Sequence, residues 1–398
     1  MITRRRQVTL ALTAVLVAAA GCQAAQKQSA PQSAPPGNSG PPPAPSPAAA
    51  RGFTLVASGD VLPHASVVAR ANADAGGVGY DFRPMFEAAK PLVGGADLAI
   101  CHMETVYGAV GGADAAQSGF PAPTFKSPPQ VADGLAATGY DACSTASNHA
   151  LDDGAAGIQR TLDALDRAGV RHAGTARTAG EAGAVTLLRA GAATVAQLAY
   201  TYGTNGLPMP VGAPWAVNLI DRDRILADAR AARKAGADVV VVSLHWGTEW
   251  QDEPDMQQVT LSRELTASRT DGRPDIDLIL GTHARVPQAY EKVNGTWVVY
   301  GMGDQIAGEM FNYQGVRDSR GNESTLARFT FAPPTGKGAR WEVTKAEFVP
   351  QFFDIDAGRV VNLNTALALG ADVGGVRDRI RDVVLSRGAA QEGLMMGQ

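Results

Sequence analysis

"ADVVVVSLHWG", residues 237 to 247, runs after Asp238 through four valines, a serine and a leucine with no further charged residue until it stops at His245. A half-buried strand alternates apolar with polar positions, whereas a run this continuous fits a strand covered on both faces. Its exit is what sets it apart, because an imidazole stands where the strand gives way to the turn at Gly247. The pattern recurs along the chain. "FTLVASGD" (53–60) leads into Asp60, "DLAICHMET" (97–105) into Glu104, "DACSTASNH" (141–149) into Asn148 and His149, and "DIDLILGTH" (275–283) into His283. Helix-like stretches lie between. "PMFEAAKPLV" (84–93) reads as a short helix interrupted by Pro91, "PPQVADGLAATG" (128–139) is helical, and Ile158, Leu162 and Leu165 repeat at helical spacing up to Gly169. This alternation predicts an α/β fold with a largely parallel sheet covered on both faces.

In open parallel sheets the C-terminal strand ends share one edge, where ligands bind. Asp60, Glu104, Asn148, His245 and His283 are therefore expected to converge, with His149 beside them. Each has a plainer reading alone: a carboxylate or Asn after a strand often turns the chain or caps a helix, and a lone His is often a satisfied core residue. Asp152 or Asp153 looks like the better cap for the helix that follows. Together they are harder to explain structurally, since clustered buried carboxylates repel unless a cation or protons neutralise them. Carboxylate, amide and imidazole ligands suit Mn, Fe or Zn better than Ca or Mg. Two carboxylates can share two such ions, and water held there is a strong nucleophile near neutral pH. His149 would then donate a proton to a leaving group or stabilise charge on a phosphoryl oxygen. A metal-independent alternative uses Asp60 and Glu104 as a glycosidase-like carboxylate pair, which leaves the Asn148-His149 block without work. Trp246 and Trp250 offer either a flat surface for a polymer or sugar ring, or core packing.

The first fifty residues stand outside the fold. Three arginines within residues 1–6, an apolar run from Val8 to Ala20 and "AAGCQ" predict a lipoprotein signal over 1–21, with lipid attached at Cys22. Residues 22–50 are rich in Ala, Pro and Ser and cannot bury a core, which makes them a tether of roughly 30 Å. This places the folded part outside the cytoplasm, anchored to the membrane. Residues 51–365 are expected to form the main domain, and 366–398 a C-terminal helix packed on it and a tail. The net charge of −4 argues against an electrostatic hold on nucleic acid. Cys101 and Cys143 are too few for a disulfide framework; buried free thiols are the expectation, with a pair between them the alternative.

"SGDVLPH", "CHMET", "ASNHALDDG", "SLHWGTEW", "GTHARVPQAYE" and "VVYGMGDQIAGE", in this order between Phe53 and Glu309, resemble the bacterial capsule synthesis family CapA, the poly-γ-glutamate capsule proteins. That family is similar to the calcineurin-like metallophosphoesterases. The resemblance implies a four-layer α/β/β/α sandwich of the metallophosphoesterase type. It implies Asp60 as a ligand of a first metal, Glu104 as a bridging carboxylate, Asn148, His245 and His283 as ligands of a second, and His149 as the catalytic imidazole. Three positions depart from it. Arg285 stands where the family has the second His of G-x-H-P-H, and a guanidinium stays charged and does not ligate. One ion or two is thus open, as is a protein without metal. His102 stands where the family favours Asn, two residues from Glu104 and on the same strand face. Either His102 or His64 is a candidate substitute for the missing imidazole, with backbone hydrogen bonding the plainer role for His102; Arg285 is a candidate bidentate partner for a phosphate or carboxylate. Asp304 also replaces a usual Asn.

The expected function is that of a surface-anchored protein acting on or organising an extracellular polymer, with hydrolysis of a phosphoester as its enzymatic form and other capsule-synthesis proteins as partners. The alternative is a polymer-binding or assembly subunit with a degenerate metal site, which Arg285 favours. After Glu309, "TLARFTFAP" (325–333) and "RWEVTKAEFVP" (340–350) alternate like antiparallel strands. "YEKVNGTWVVYG" (290–301) reads as a hairpin at Asn294-Gly295. A last helix over 374–387 carries Val376, Ile380, Val383 and Val384. All are expected to form a second sheet and its covering helix.

Overall fold

A computed structural model describes residues 51–108, 124–336 and 339–398; the expected leader, tether and Cys22 lie outside them. Two sheets form the centre. The first orders its strands 359–362, 342–354, 323–332, 53–61, 98–103, 142–144 and 171–173, with 304–306 paired to 53–61 and 394–396 to 342–354. The second runs 290–293, 296–299, 278–282, 239–245, 193–201 and 186–190. In the second sheet parallel neighbours occupy the middle with an antiparallel strand on each flank, whereas in the first the parallel strands 53–61, 98–103, 142–144 and 171–173 run to one edge and the antiparallel strands lie on the other side.

Period-2 alternation decides the layering, because successive side chains leave a strand on opposite faces. Val239 and Val241 join Leu55, Ala57, Leu98, Ile100 and Leu278 in the core between the sheets, whereas Val240, Val242 and Leu244 pack on Ile225, Ala229 and Leu265 of the helices Arg222–Lys234 and Met256–Ala267. The first sheet does the same: Val56, Ala99 and Cys101 face the helices Ala65–Asp74, Gln130–Thr138 and Gly154–Ala168. The result is an α/β/β/α sandwich, and the second face of each sheet is covered by the other sheet rather than by more helices. Each fully buried valine of the 239–242 run contributes roughly 1.5–3 kcal/mol.

Four expectations need correction. Strands 323–332 and 342–354 extend the first sheet, not the second. Their alternation predicted pairing but could not choose a sheet; Phe331 lies opposite Phe53 and their rings stack at 4.8 Å. The last helix, Gly374–Val384, places Ile380 and Val384 into the core between the sheets. The strand over 141–149 spans only Ala142–Ser144, because Thr145 and Ser147 use their hydroxyls to satisfy neighbouring backbone. Cys101 and Cys143, in register on adjacent strands, are joined in a disulfide rather than free. The hairpin turns as expected, with Asn294 and Gly295 both at positive φ. Among the described residues no helix is long and apolar enough to cross a membrane.

Candidate metal centre

The parallel strands of both sheets end on the same side of the sandwich, and the exit residues meet there. Register brings Asp60 between His102 and Asp304 on adjacent strands. In the second sheet Thr282 lies opposite His245, so His283 follows directly beside it. Asp60, His102, Glu104, Asn148, His245, His283 and Asp304 are all buried. The Asn148 amide oxygen accepts from Nε2 of His245 at 2.8 Å, and Oδ2 of Asp60 accepts from the backbone N–H of His283 at 3.0 Å. His283 and Arg285 hold φ of 94° and 67°, an unfavourable backbone for residues with a Cβ. That strain, of order 1–3 kcal/mol per residue, is what aims the His283 ring and the Arg285 side chain inward from one short loop.

The fit to a cation rests on what the buried atoms lack. Asp60 Oδ1, His102 Nε2, Glu104 Oε1, His283 Nδ1 and both carboxylate oxygens of Asp304 have no hydrogen-bond partner among the described residues. One such group costs about 1–3 kcal/mol, more if charged, so six in one place call for a positive ion or protons. Three sets lie close enough to share an ion: Asp60–His102–His245, Glu104–His245–His283 and Asp60–Glu104–Asp304. Burial pushes the Asp60 and Glu104 carboxyls up to about 7 and raises Asp304 well above the carboxylate range. Burial, then Arg285, depresses His102 to about 3, and burial holds His245 and His283 far below their ordinary value. Imidazoles kept neutral and carboxyls that ionise only reluctantly are the state expected of ligands facing a missing charge.

The candidates separate by position. His149 presents Nε2 3.9 Å from Glu104 Oε1, while its Nδ1 lies 2.7 Å from Asp152 Oδ2. Asp152 thus holds the imidazole instead of capping a helix, and Asp153 takes the N-cap position without a side-chain capping bond, its carboxylate pairing with Lys126 and Arg160. His64 stays out of the ligand cluster: its Nδ1 accepts from the Gly308 N–H at 3.0 Å, and its ring lines an open cleft of about 1160 Å³ above the site. His102 is inside the cluster, 3.5 Å from Asp60 Oδ1. Its Nδ1 meets the Ser144 hydroxyl rather than backbone. Arg285 donates through Nη1 to Glu104 Oε2 at 2.9 Å and through Nε and Nη2 to Glu249 Oε1 at 3.2 Å. Trp246 is a core residue donating to the Tyr300 carbonyl, and Trp250 packs on Val286 and Met310 at the edge of the cleft. The exposed aromatics of the cleft are Tyr202, Phe311 and Tyr313. His172 lies apart, lining a cavity of about 360 Å³ with Arg177 and Gln197.

Four contributors escaped the sequence reading. Asp152 was hidden by its capping position, and Asp304 stood out only as a departure from a motif. Glu249 sits in "HWGTEW" between two more conspicuous tryptophans. Tyr202, whose ring lies 4.6 Å from His283, follows another strand that ends at this edge.

Residues 54–309 match the family model described as bacterial capsule synthesis protein PGA_cap. The PGA biosynthesis protein CapA of Bacillus subtilis is 28% identical over 169 residues, a match that covers 42% of each protein, so less than half of that relative's length is spanned. Among solved structures, the calcineurin-like phosphoesterase YfkN of Bacillus subtilis aligns over 84% of this chain and 99% of its own at 14% identity and TM-score 0.43. The 5'-nucleotidase precursor of Thermus thermophilus aligns over 82% and 59% at 16% and TM-score 0.43.

Proposed function

The chain belongs to the bacterial capsule synthesis family, and from that premise we propose that it is a metal-dependent phosphoester hydrolase serving the synthesis or attachment of an extracellular polymer of the poly-γ-glutamate type. The observation that carries the reading is the group of buried, unpartnered Asp60, His102, Glu104, His283 and Asp304 atoms at the foot of an open cleft. A divalent ion, Mn, Fe or Zn, held there supplies Lewis acidity and an activated water. Asp60, Glu104, Asn148, His245 and His283 hold and orient it. His149, with Nδ1 fixed on Asp152, keeps Nε2 toward the cleft, where it protonates the departing oxygen. Arg285 offers its charge to the phosphoryl group from the cleft wall. The protein is read as extracytoplasmic and held to the membrane through lipid on Cys22, working beside other capsule-synthesis proteins. The Cys101–Cys143 disulfide supports an oxidising compartment.

One observation favours a second reading, a polymer-binding or assembly subunit without turnover: Arg285 already occupies one oxygen of Glu104. Generic phosphomonoester and phosphodiester substrates, assayed on the purified full chain with and without chelator, separate the two. Chelator-sensitive turnover that disappears in His149→Ala supports hydrolysis. A correctly folded, metal-loaded chain that hydrolyses neither substrate supports the assembly role.

A further inference from the structure

Resting on the metal-site reading above, we propose that this chain holds a single divalent ion with Nε2 of His102 among its ligands, and that the Arg285 guanidinium stands permanently where a second ion would otherwise sit.

The first half follows from the hydrogen bonds of His102. Ser144 Oγ lies 2.7 Å from Nδ1 and 3.4 Å from the Cys101 carbonyl, which can only accept from it; in the tautomer where the hydroxyl proton goes to that carbonyl, Nδ1 of the ring carries the ring proton. Nε2 is in that tautomer a bare lone pair, buried, without a partner among the described residues, and 3.5 Å from the equally unpartnered Asp60 Oδ1. Two buried acceptors facing each other repel unless something positive lies between them. Asp304, beside Asp60 on its other flank, adds two more unpartnered oxygens. Three adjacent strands thus aim His102, Asp60 and Asp304 at one point, and His245 stacks on the His102 ring at 4.6 Å.

The second half follows from geometry. A carboxylate bridges two ions with one oxygen to each, and Oε2 of Glu104 is committed to Arg285 at 2.9 Å. Only Oε1 remains open. The Arg285 side chain is 7% exposed and has two further bonds to Glu249, so it is built into the site.

The test is a count of ions on the purified full chain, loaded with Mn or Zn, desalted and analysed for metal, with affinity measured by titration. The inference expects about one ion per chain. His102→Gln weakens binding at least about tenfold, an effect on the scale of losing a supporting group or more, while His172→Gln leaves it unchanged. Arg285→His raises the count toward two, and Arg285→Lys leaves it at one. Two ions in the unmodified chain, or unchanged affinity in His102→Gln, overturns the inference even where the Arg285 variants do not fold. One bound ion with no phosphoester hydrolysis sinks the proposed function and leaves this inference standing; chelator-sensitive hydrolysis with two ions does the reverse.

Discussion

Arg285 and Glu104, 181 residues apart in sequence, form a buried ion pair at 2.9 Å that links the two sheets of the sandwich at their shared edge. Glu104 follows strand 98–103 of the first sheet and Arg285 follows strand 278–282 of the second, so the contact ties the strand ends that build the site. Against the cost of burial, the Glu104, Glu249, Asp304 and Asp60 carboxylates keep the guanidinium charged.

Removing one partner of a buried pair leaves an uncompensated charge, a loss of about 3–5 kcal/mol. Arg285→Ala is therefore expected to lower the denaturation midpoint of the metal-free protein, and saturating Mn to recover part of the loss. Urea unfolding with and without metal measures both. A variant as stable as the parent without metal contradicts the assignment.

Asp304 should respond with the opposite sign. Its carboxyl is buried, unpartnered and pushed well above its ordinary ionisation range. Asp304→Asn replaces a carboxyl that the folded, metal-free protein must keep protonated, and is expected to stabilise that form by about 1–2 kcal/mol while weakening ion binding. Thermal unfolding and metal titration of the same variant check the two halves separately.

Ion binding should strengthen as pH rises through neutrality. Asp60 and Glu104, with ordinary values of 3.8 and 4.5, are raised to about 7 by burial. Between those limits the folded, metal-free protein keeps protons that the unfolded chain has released. Their contribution to metal-free stability is present at low pH and lost as pH rises through about 7. An incoming ion must displace the same protons, so it binds better where they have already left. The rise in melting temperature on adding Mn should be small near about pH 5.5 and larger near about pH 8. A pH-independent rise contradicts the account.

The Asp152 carboxylate holds Nδ1 of His149 and also accepts from the Phe125 N–H at 2.6 Å. Asp152→Asn keeps the shape and removes the charge that orients and supports an imidazolium. Turnover of a phosphoester is expected to fall roughly 10- to 100-fold, as for other residues that support a reacting group from behind, with the metal count unchanged. Loss of metal together with activity assigns Asp152 a structural role instead.

Cys101 and Cys143 close a loop with a sequence separation of 42 residues. On the chain-entropy model such a link is worth about 4 kcal/mol. Alkylation of the unfolded, unreduced protein should leave both cysteines unmodified, and reduction should lower the unfolding midpoint. Two alkylated cysteines without reductant contradict the pairing.

The residues that the sequence disclosed most readily are those whose role coincides with the end of an apolar run. His245 after four valines, His283 after "LILGT" and Asp60 after "TLVASG" needed only strand periodicity and the rule that parallel strands bind at their C-terminal edge. Residues with a commonplace local role stayed hidden. Asp152 lies just before a helix, where a cap explains it, and only the tertiary approach of Phe125 and His149 shows its other use. Sheet membership was equally hidden, since alternation in 323–332 fixes which side chains share a face but not which sheet the strand joins. The disulfide was undecidable for the same reason: two cysteines on predicted strands pair only if those strands are neighbours in register.

The most direct measurement of the central claim is anomalous X-ray scattering from crystals of this protein equilibrated with Mn or Zn. The account predicts one strong peak enclosed by Asp60, His102, Glu104, His245, His283 and Asp304, beside the Arg285 guanidinium. No peak there, or a peak only at the separate cavity that contains His172, would contradict it.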